Sequence, residues 1–367
     1  MLRSARSGAA GLLELPPGDL AVVSIGVGIV GFGEMALWHA EQVRALDGLE
    51  LRVVCDVTPA RRELAERQYG CKTSEELEPL LADKDVGLVL IATPSHAHVQ
   101  PVLAALAAGK HVVVEKPIAR TESDARRMFD AAREAGRTLM AFQNRRFDSD
   151  FLTARRAVES GELGRIDDIR LIRWAYSRLM STFGAKEYRP GWRADAAYGG
   201  GNLLDWGPHL FDQMLQLVPA PLENVFGDLR ARRWSKEVED QFLAVLRFRG
   251  GVVAVVEFAQ APLGELDVSW AISGSDAAFR YENNRGVFYS RNGDDQETLR
   301  RVEPAARDWP ALWRNMRDVV RDGAEPIVRP PETLRLMRVL DAVRRSSETG
   351  QVVAVQDEYA TDSATGG

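Results

Sequence analysis

The chain is poor in the features that mark several large protein classes. It has two cysteines, Cys55 and Cys71, in 367 residues. That is too few for a disulfide framework or a cysteine metal cluster, as suits a reducing cytoplasm. No apolar run approaches the ~20 residues that span a bilayer. Positive charge is not in excess: 47 Lys and Arg against 53 Asp and Glu leave a net charge of −6, which argues against a general nucleic-acid binder. Residues 1–20 hold neither a long apolar core nor an adjacent arginine pair, so they read as a flexible leader, with a cleaved targeting segment as the alternative. There is no internal repeat. No acidic cluster suited to a metal or a phosphorylated sugar is present, and no metal site is expected.

What is present fits a globular protein. Hydrophobic residues make up 45% and charged residues 27%, near the globular norm, and the length suits roughly two domains. The organising stretch is Gly26–Ala40. An apolar run leads into Gly31 and Gly33, and Ala36, His39, Ala40 and Val43 then recur at helical spacing. Strand, glycine turn and helix in that order form a phosphate cradle: the glycines permit a tight turn and close approach of a pyrophosphate, and Ala36 permits close packing of the helix. His39 reads as a packing residue of that helix.

Leu51–Asp56 reads as a second strand whose terminal carboxylate falls 25 residues after Gly31. A dinucleotide fold places an acid roughly 20 residues beyond the turn to bind the adenosine ribose. Asp56 would repel a 2′-phosphate, so NAD is favoured over NADP, with Arg61 and Arg62 near enough to soften the preference. The alternative is an acid that only serves a helix N-terminus. Thr58-Pro59 opens a helix that ends near Gly70, and Thr73–Glu76 reads as a capping box for another. Val86–Ile91 and His111–Val114 are buried parallel strands, Thr121–Ala135 is a helix closed by Gly136, and Leu139–Phe142 is a further strand. This alternation predicts a doubly wound parallel sheet, with ligands at the carboxyl ends of its strands. Gly31, Asp56, Thr93 and Lys116 all fall at such ends.

From Asp168 the rhythm changes to short strands, including Gln241–Phe248, Gly251–Phe258, Val268–Ser273 and Ala277–Tyr281, with Gly250-Gly251 as a hairpin turn. Helices are expected near Asn202–Leu217, Trp309–Arg321 and Glu332–Ser347. The fold class is therefore α/β plus α+β: an N-terminal Rossmann domain at 21–145 and a mostly antiparallel open sheet, covered on one face by helices, at 146–357. Residues 358–367 read as a flexible tail. The closing helices are placed to pack back on the first domain.

Asp205 and His209 stand four apart, which on one helix puts them on one face. An imidazole exchanges protons near neutrality, so His209 is the candidate base, with Asp205 to orient it or to bind a neighbouring hydroxyl. Two residues at this spacing also suit a metal, but no convincing third ligand is present. Asp205 as a mere helix cap is the remaining alternative. Gly199–Gly201 reads as a place where backbone approaches a ligand. Trp192 and Tyr198 precede that run and offer flat faces to a polyol, with ordinary core as the alternative for Trp192.

Several runs together carry a family resemblance: Gly-Phe-Gly-Glu-Met-Ala at 31–36, Thr-Pro-Ser-His-Ala-His at 93–98, Gly-Lys-His-Val-Val-Val-Glu-Lys-Pro at 109–117 and Gly-Gly-Gly-Asn-Leu-Leu-Asp-Trp-Gly-Pro-His at 199–209. Over roughly residues 25–355 the chain resembles the glucose–fructose oxidoreductase and inositol dehydrogenase family (Gfo/Idh/MocA). The resemblance implies an NAD(H)-dependent dehydrogenase acting on a sugar, inositol or related polyol. It implies that Lys116 contacts the oxygen on the reacting carbon and the nicotinamide ribose, next to a Lys-Pro bond that can be cis. Catalysis would rest on Lys116, Asp205 and His209. Phe32, Glu34 and Met35 of the turn, with Pro94, His98 and Glu115, join Gly31, Gly33, Asp56, Thr93 and Lys116 as cofactor contacts. Asn144 and Arg145, beside the Arg146-Phe147 pair, join Trp192 and Tyr198 toward substrate. Two rivals stay open: a non-catalytic dinucleotide or sugar sensor, and a reductase of a non-sugar carbonyl. Apolar residues on both faces of Val252–Val256 point to a homodimer or homotetramer.

Overall fold

The computed structural model describes residues 24–174, 186, 191–260, 266–291 and 297–357. The expected leader at 1–20 and tail at 358–367 lie outside these. The first half alternates strand and helix: β1 Ile25–Val30, α1 Glu34–Ala45, β2 Leu49–Cys55, α2 Pro59–Tyr69, β3 Lys72–Ser74, α3 Glu78–Ala82, β4 Val86–Ile91, α4 Val99–Ala107, β5 His111–Val114, α5 Glu122–Ala135 and β6 Leu139–Ala141. All six strands pair in parallel in the order β3-β2-β1-β4-β5-β6. The order reverses direction between β1 and β4, which opens a crevice at their carboxyl ends. Val27, Ile29, Leu88, Leu90, Val112 and Val113 are fully buried in this sheet, as expected of strands covered by helices on both faces.

Local chemistry explains most boundaries. Thr121 caps α5 by accepting the Asp124 N–H at 3.1 Å, and Gly70 and Gly136 close α2 and α5 in the left-handed region. The Thr73–Glu76 capping box does not form. Lys72–Ser74 instead pairs as β3 with Val53–Cys55, and α3 starts only after Leu77. An edge position beside β2 satisfies the backbone of this run, and a helix start there would leave it unpaired.

The second half contains α6 Ser149–Glu159, β7 Ile166–Trp174, α7 Asn202–Asp205, α8 Gly207–Leu217 and the strands β8 Leu222–Arg230, β9 Gln241–Phe248, β10 Val253–Ala259, β11 Val268–Gly274, β12 Ala277–Glu282, β13 Arg285–Arg291 and β14 Glu297–Val302. It closes with α9 Ala311–Asp322, α10 Pro330–Thr349 and β15 Val353–Ala354. Nine strands run β14-β13-β12-β11-β7-β10-β9-β8-β15, antiparallel except for β7 beside β10. One face packs on helices: Phe242, Ala244, Leu246 and Phe248 of β9 are buried, while the intervening Leu243 and Val245 are half-exposed. The last two helices return to the first domain. α9 packs on β1 and α10 on α5 and β6. Arg146 fastens the crossing: buried, it pairs with Asp212 at 2.6 Å and Glu332 at 2.8 Å.

Candidate active site

The crevice beyond β1 and β4 widens into a cavity of about 670 Å³ that runs from the glycine turn to His209, within the ~300–1,000 Å³ usual for ligand sites. At one end, Gly31 turns with φ +82°, and a Cβ there would stand 2.8 Å from the Thr93 amide nitrogen. Only glycine meets both demands. The first turn of α1 has no side-chain cap, which leaves uncapped helix amides of the kind that bind phosphate. Around Gly33 nothing lies within 4 Å of where a Cβ would stand. The Asp56 carboxylate accepts the Phe32 N–H at 2.6 Å and the Thr58 N–H at 2.7 Å, so it is fixed at the lip of the cavity. The open helix end, the room at Gly33 and this anchored acid fit a dinucleotide.

The other end is built at the meeting of the two halves. The Lys116–Pro117 bond is cis. Lys116 Nζ donates to Asp205 Oδ1 at 2.8 Å and to the Asp205 carbonyl at 2.7 Å. Arg193 Nε donates to the same Oδ1 at 3.2 Å. Burial works against the Asp205 charge, but Lys116 and then Arg193 outweigh it and hold the carboxyl well below its usual range. His209 is buried and its pKa is pushed well below the ordinary 6.5, first by burial and then by the cations Lys116, Arg145 and Arg173. The ring is therefore neutral, and its Nδ1 has no partner among the described residues. The Arg145 guanidinium lies 4.5 Å over Trp206 and pairs with Asp148 at 2.9 Å.

The cavity wall brings together Gly31, Phe32, Gly33, Glu34, Met35 and Asp56 with Thr93, Pro94, Glu115 and Lys116, and these with Asn144, Arg145, Trp192, Asp205 and His209. Two expected contacts stand apart. His98 is buried behind the wall, its ring nitrogens 2.9 Å from the Pro117 carbonyl and 2.8 Å from the Thr93 carbonyl. It clamps two wall segments from behind, and burial lowers its pKa. Tyr198 lies outside the wall, edge-on to His96 at 4.6 Å.

The glycine run has a different use from the one expected. A Cβ at Gly200 would fall 2.4 Å from the Arg193 carbonyl, and one at Gly201, where φ is +103°, would fall 2.4 Å from the Glu239 carboxylate. The glycines admit protein backbone and Glu239, which accepts the Leu203 N–H at 2.7 Å. Asp205 and His209 do not share one continuous helix either; the chain breaks at Trp206 between α7 and α8, yet both side chains reach the cavity. Sequence reasoning missed Trp38, Trp206 and Trp309 in the wall. Trp206 sits inside the motif that carries Asp205 and His209 and was findable there. Trp309 arrives from the far end of the chain with no local signal.

Fold and site together define an enzyme, a nicotinamide-dependent oxidoreductase. Residues 25–143 match the model of an oxidoreductase family with an NAD-binding Rossmann fold, and residues 151–280 match the GFO/IDH/MocA C-terminal domain. The chain belongs to the GFO/IDH/MocA family. Among curated relatives, scyllo-inositol 2-dehydrogenase (NADP⁺) IolW of Bacillus subtilis is 26% identical, covering 94% of this chain and all of that one. Levoglucosan dehydrogenase of Pseudarthrobacter phenanthrenivorans is also 26% identical, over 93% of this chain and 96% of its own. Among solved structures, an NAD-binding protein from Listeria innocua superposes with a TM-score of 0.81 at 29% identity, covering 92% of this chain and 99% of that one.

Proposed function

We propose that the protein is a dehydrogenase that moves a hydride between nicotinamide and a secondary or anomeric hydroxyl of a sugar, inositol or related polyol. The observation that carries this reading is the single cavity into which Lys116, Asp205 and His209 all face, continuous with the dinucleotide turn. When bound, the nicotinamide supplies the hydride acceptor or donor. Lys116, anchored by Asp205, holds the oxygen of the reacting carbon and stabilises negative charge that grows there. His209, neutral and with Nδ1 unpartnered among the described residues, takes the hydroxyl proton and returns it in the reverse direction. Trp192, Asn144 and Arg145 line the substrate end and exclude water.

NAD is favoured over NADP on this reading. The Asp56 charge opposes a 2′-phosphate. Arg61 is engaged with Glu34 at 3.3 Å, and Arg62 with Glu75 at 3.1 Å and the Asp56 carbonyl at 2.7 Å. The relative IolW is named for NADP⁺, and the assay below therefore compares both cofactors. The half-exposed apolar face of the second sheet supports a homodimer or homotetramer, and the cysteine usage supports a cytoplasmic setting.

The test is NADH fluorescence on incubation with NAD or NADP and a panel of cyclic and open-chain polyols. Reduction of NAD by at least one polyol, faster than reduction of NADP, is expected. A panel with no turnover in either direction would overturn the reading.

A further inference from the structure

One buried titratable group takes no part in the chemistry above. His39 of α1 is fully buried, caged by Phe142, Trp38 and Trp313 with ring centroids 4.5, 5.0 and 5.6 Å away. Both of its ring nitrogens are engaged. Trp313 Nε1–H of α9 points at Nδ1 from 3.0 Å, and Nε2 lies 2.8 Å from Glu115 Oε1. An indole nitrogen can only donate, so Nδ1 holds the lone pair and Nε2 carries the proton, which it donates to Glu115. The other Glu115 oxygen accepts the Lys116 backbone N–H at 3.0 Å. Burial disfavours the Glu115 charge, but the His39 hydrogen bond and the nearby Lys116 outweigh it and hold the carboxyl below its ordinary range. It is thus an ionised acceptor at neutral pH.

The result is a directed run of hydrogen bonds, from Trp313 to His39 to Glu115, with the Lys116 amide donating into its end. It links three segments that are 76 and 274 residues apart in pairs. The cage excludes water, and in such a setting each bond is stronger and an unpaired member is costly. The run ends at the root of the side chain that spans to Asp205.

We propose that His39 is a positioning residue for the dehydrogenase: by fixing the Glu115 carboxylate it fixes the Lys116 main chain, and Trp313 of α9 holds the imidazole in place by donating to Nδ1. The proposal rests on the reading of Lys116 as the group that holds the reacting oxygen. A lysine whose root drifts by a fraction of an ångström no longer aims its ammonium at that oxygen, and misplacement on this scale lowers turnover far more than binding.

Three substitutions test it, with two readouts that need no turnover. In ¹⁵N-histidine-labelled protein without cofactor, the His39 signals should show an unprotonated Nδ1 and a protonated Nε2 at neutral pH. Trp313→Phe, which keeps a ring and removes only the donor, should leave the proton on Nε2, where the Glu115 carboxylate holds it, and shift the Nδ1 resonance as its hydrogen bond is lost. NADH affinity, read by fluorescence titration, should fall about threefold or more in His39→Leu, because Glu115 and Lys116 wall the cavity. With NAD and the polyol that the wild type oxidises fastest, His39→Leu should lower kcat about tenfold or more, with KM within about threefold. His39→Gln offers one donor and one acceptor and should recover most of the loss, which a purely volumetric role would not explain. Should His39→Leu fail to fold, Trp313→Phe carries the kinetic arm with a smaller loss of a few-fold. A proton on Nδ1 in the wild type, or folded variants whose kcat and NADH affinity both stay within about twofold of wild type, would overturn the proposal. Lys116→Ala is run alongside: if it keeps its turnover, the reading of Lys116 fails on its own account, whatever the histidine spectra show.

Discussion

Replacing Asp205 by Asn probes how the two halves hold the reacting lysine. The Asp205 carboxylate meets Lys116 at 2.8 Å and Arg193 at 3.2 Å, and the three side chains are only 19%, 14% and 13% exposed. Removing one member of a buried ion pair costs about 3–5 kcal/mol. The residual exposure and the Lys116 bond to the Asp205 carbonyl, which Asn keeps, reduce this to about 2–3 kcal/mol. With an unfolding entropy of about 2.1 cal/mol/K per residue, a loss in the middle of that range lowers Tm by about 3 °C for the 367-residue chain. The folded-state pKa of Asp205 is depressed, so its contribution is fully present above the unfolded value near 3.9 and fades only as pH falls through the lower folded value. The wild-type and Asp205→Asn melting points should therefore differ by the same amount from pH 7 to pH 5 and converge only below about pH 4. Turnover should fall about 10–100-fold as the ammonium loses its anchor. Calorimetry and steady-state assays across pH check both. Equal melting points at pH 7, or a gap that closes between pH 7 and pH 5, would refute the reasoning.

Other consequences are more direct. The acid limb of kcat/KM should lie below pH 6.5, because burial and cations depress the His209 pKa, and activity is lost as the ring takes up its proton. His209→Ala should erase that limb, and a retained limb would assign the base elsewhere. Asp56→Ser removes the charge that opposes a 2′-phosphate; paired titrations should shift the NADPH-to-NADH affinity ratio by about tenfold toward NADPH. Gly201→Ala places a Cβ against Glu239 at a φ of +103° and should destabilise by at least ~1–2 kcal/mol, measured by denaturation, with KM for polyol unchanged in the folded fraction.

The first half was legible because each of its signals is local. Buried strands are continuous apolar runs, and Thr121, Gly70 and Gly136 mark helix ends within a residue or two. The doubly wound parallel sheet then followed from the alternation, while its strand order and the short edge strand β3 did not. β8, β13 and β14 escaped notice for the opposite reason. Glu297–Val302 is almost wholly exposed and Arg285–Arg291 mixes polar and aromatic residues, so neither shows a period; they are strands because a neighbour supplies hydrogen bonds. At the site, Lys116, Asp205 and His209 could be singled out, since two motifs carry them. Their mutual geometry could not, because it depends on a domain crossing held by Arg146, Asp212 and Glu332. His39 looked like helix packing for the same reason: its partners Glu115 and Trp313 are remote in sequence, and only the folded chain brings a donor to one ring nitrogen and an acceptor to the other.

The central claim is that Lys116 and His209 act on one carbon. A double-mutant cycle measures this most directly, with hydride transfer followed by stopped-flow NADH fluorescence for wild type, Lys116→Ala, His209→Ala and the double variant. Each single change should cost about 10²–10⁴ in rate while NADH still binds. Groups that act as one unit are strongly non-additive, so the double variant should be no more than about tenfold slower than the worse single. Losses that multiply across the cycle would place the two residues in separate events and contradict the account.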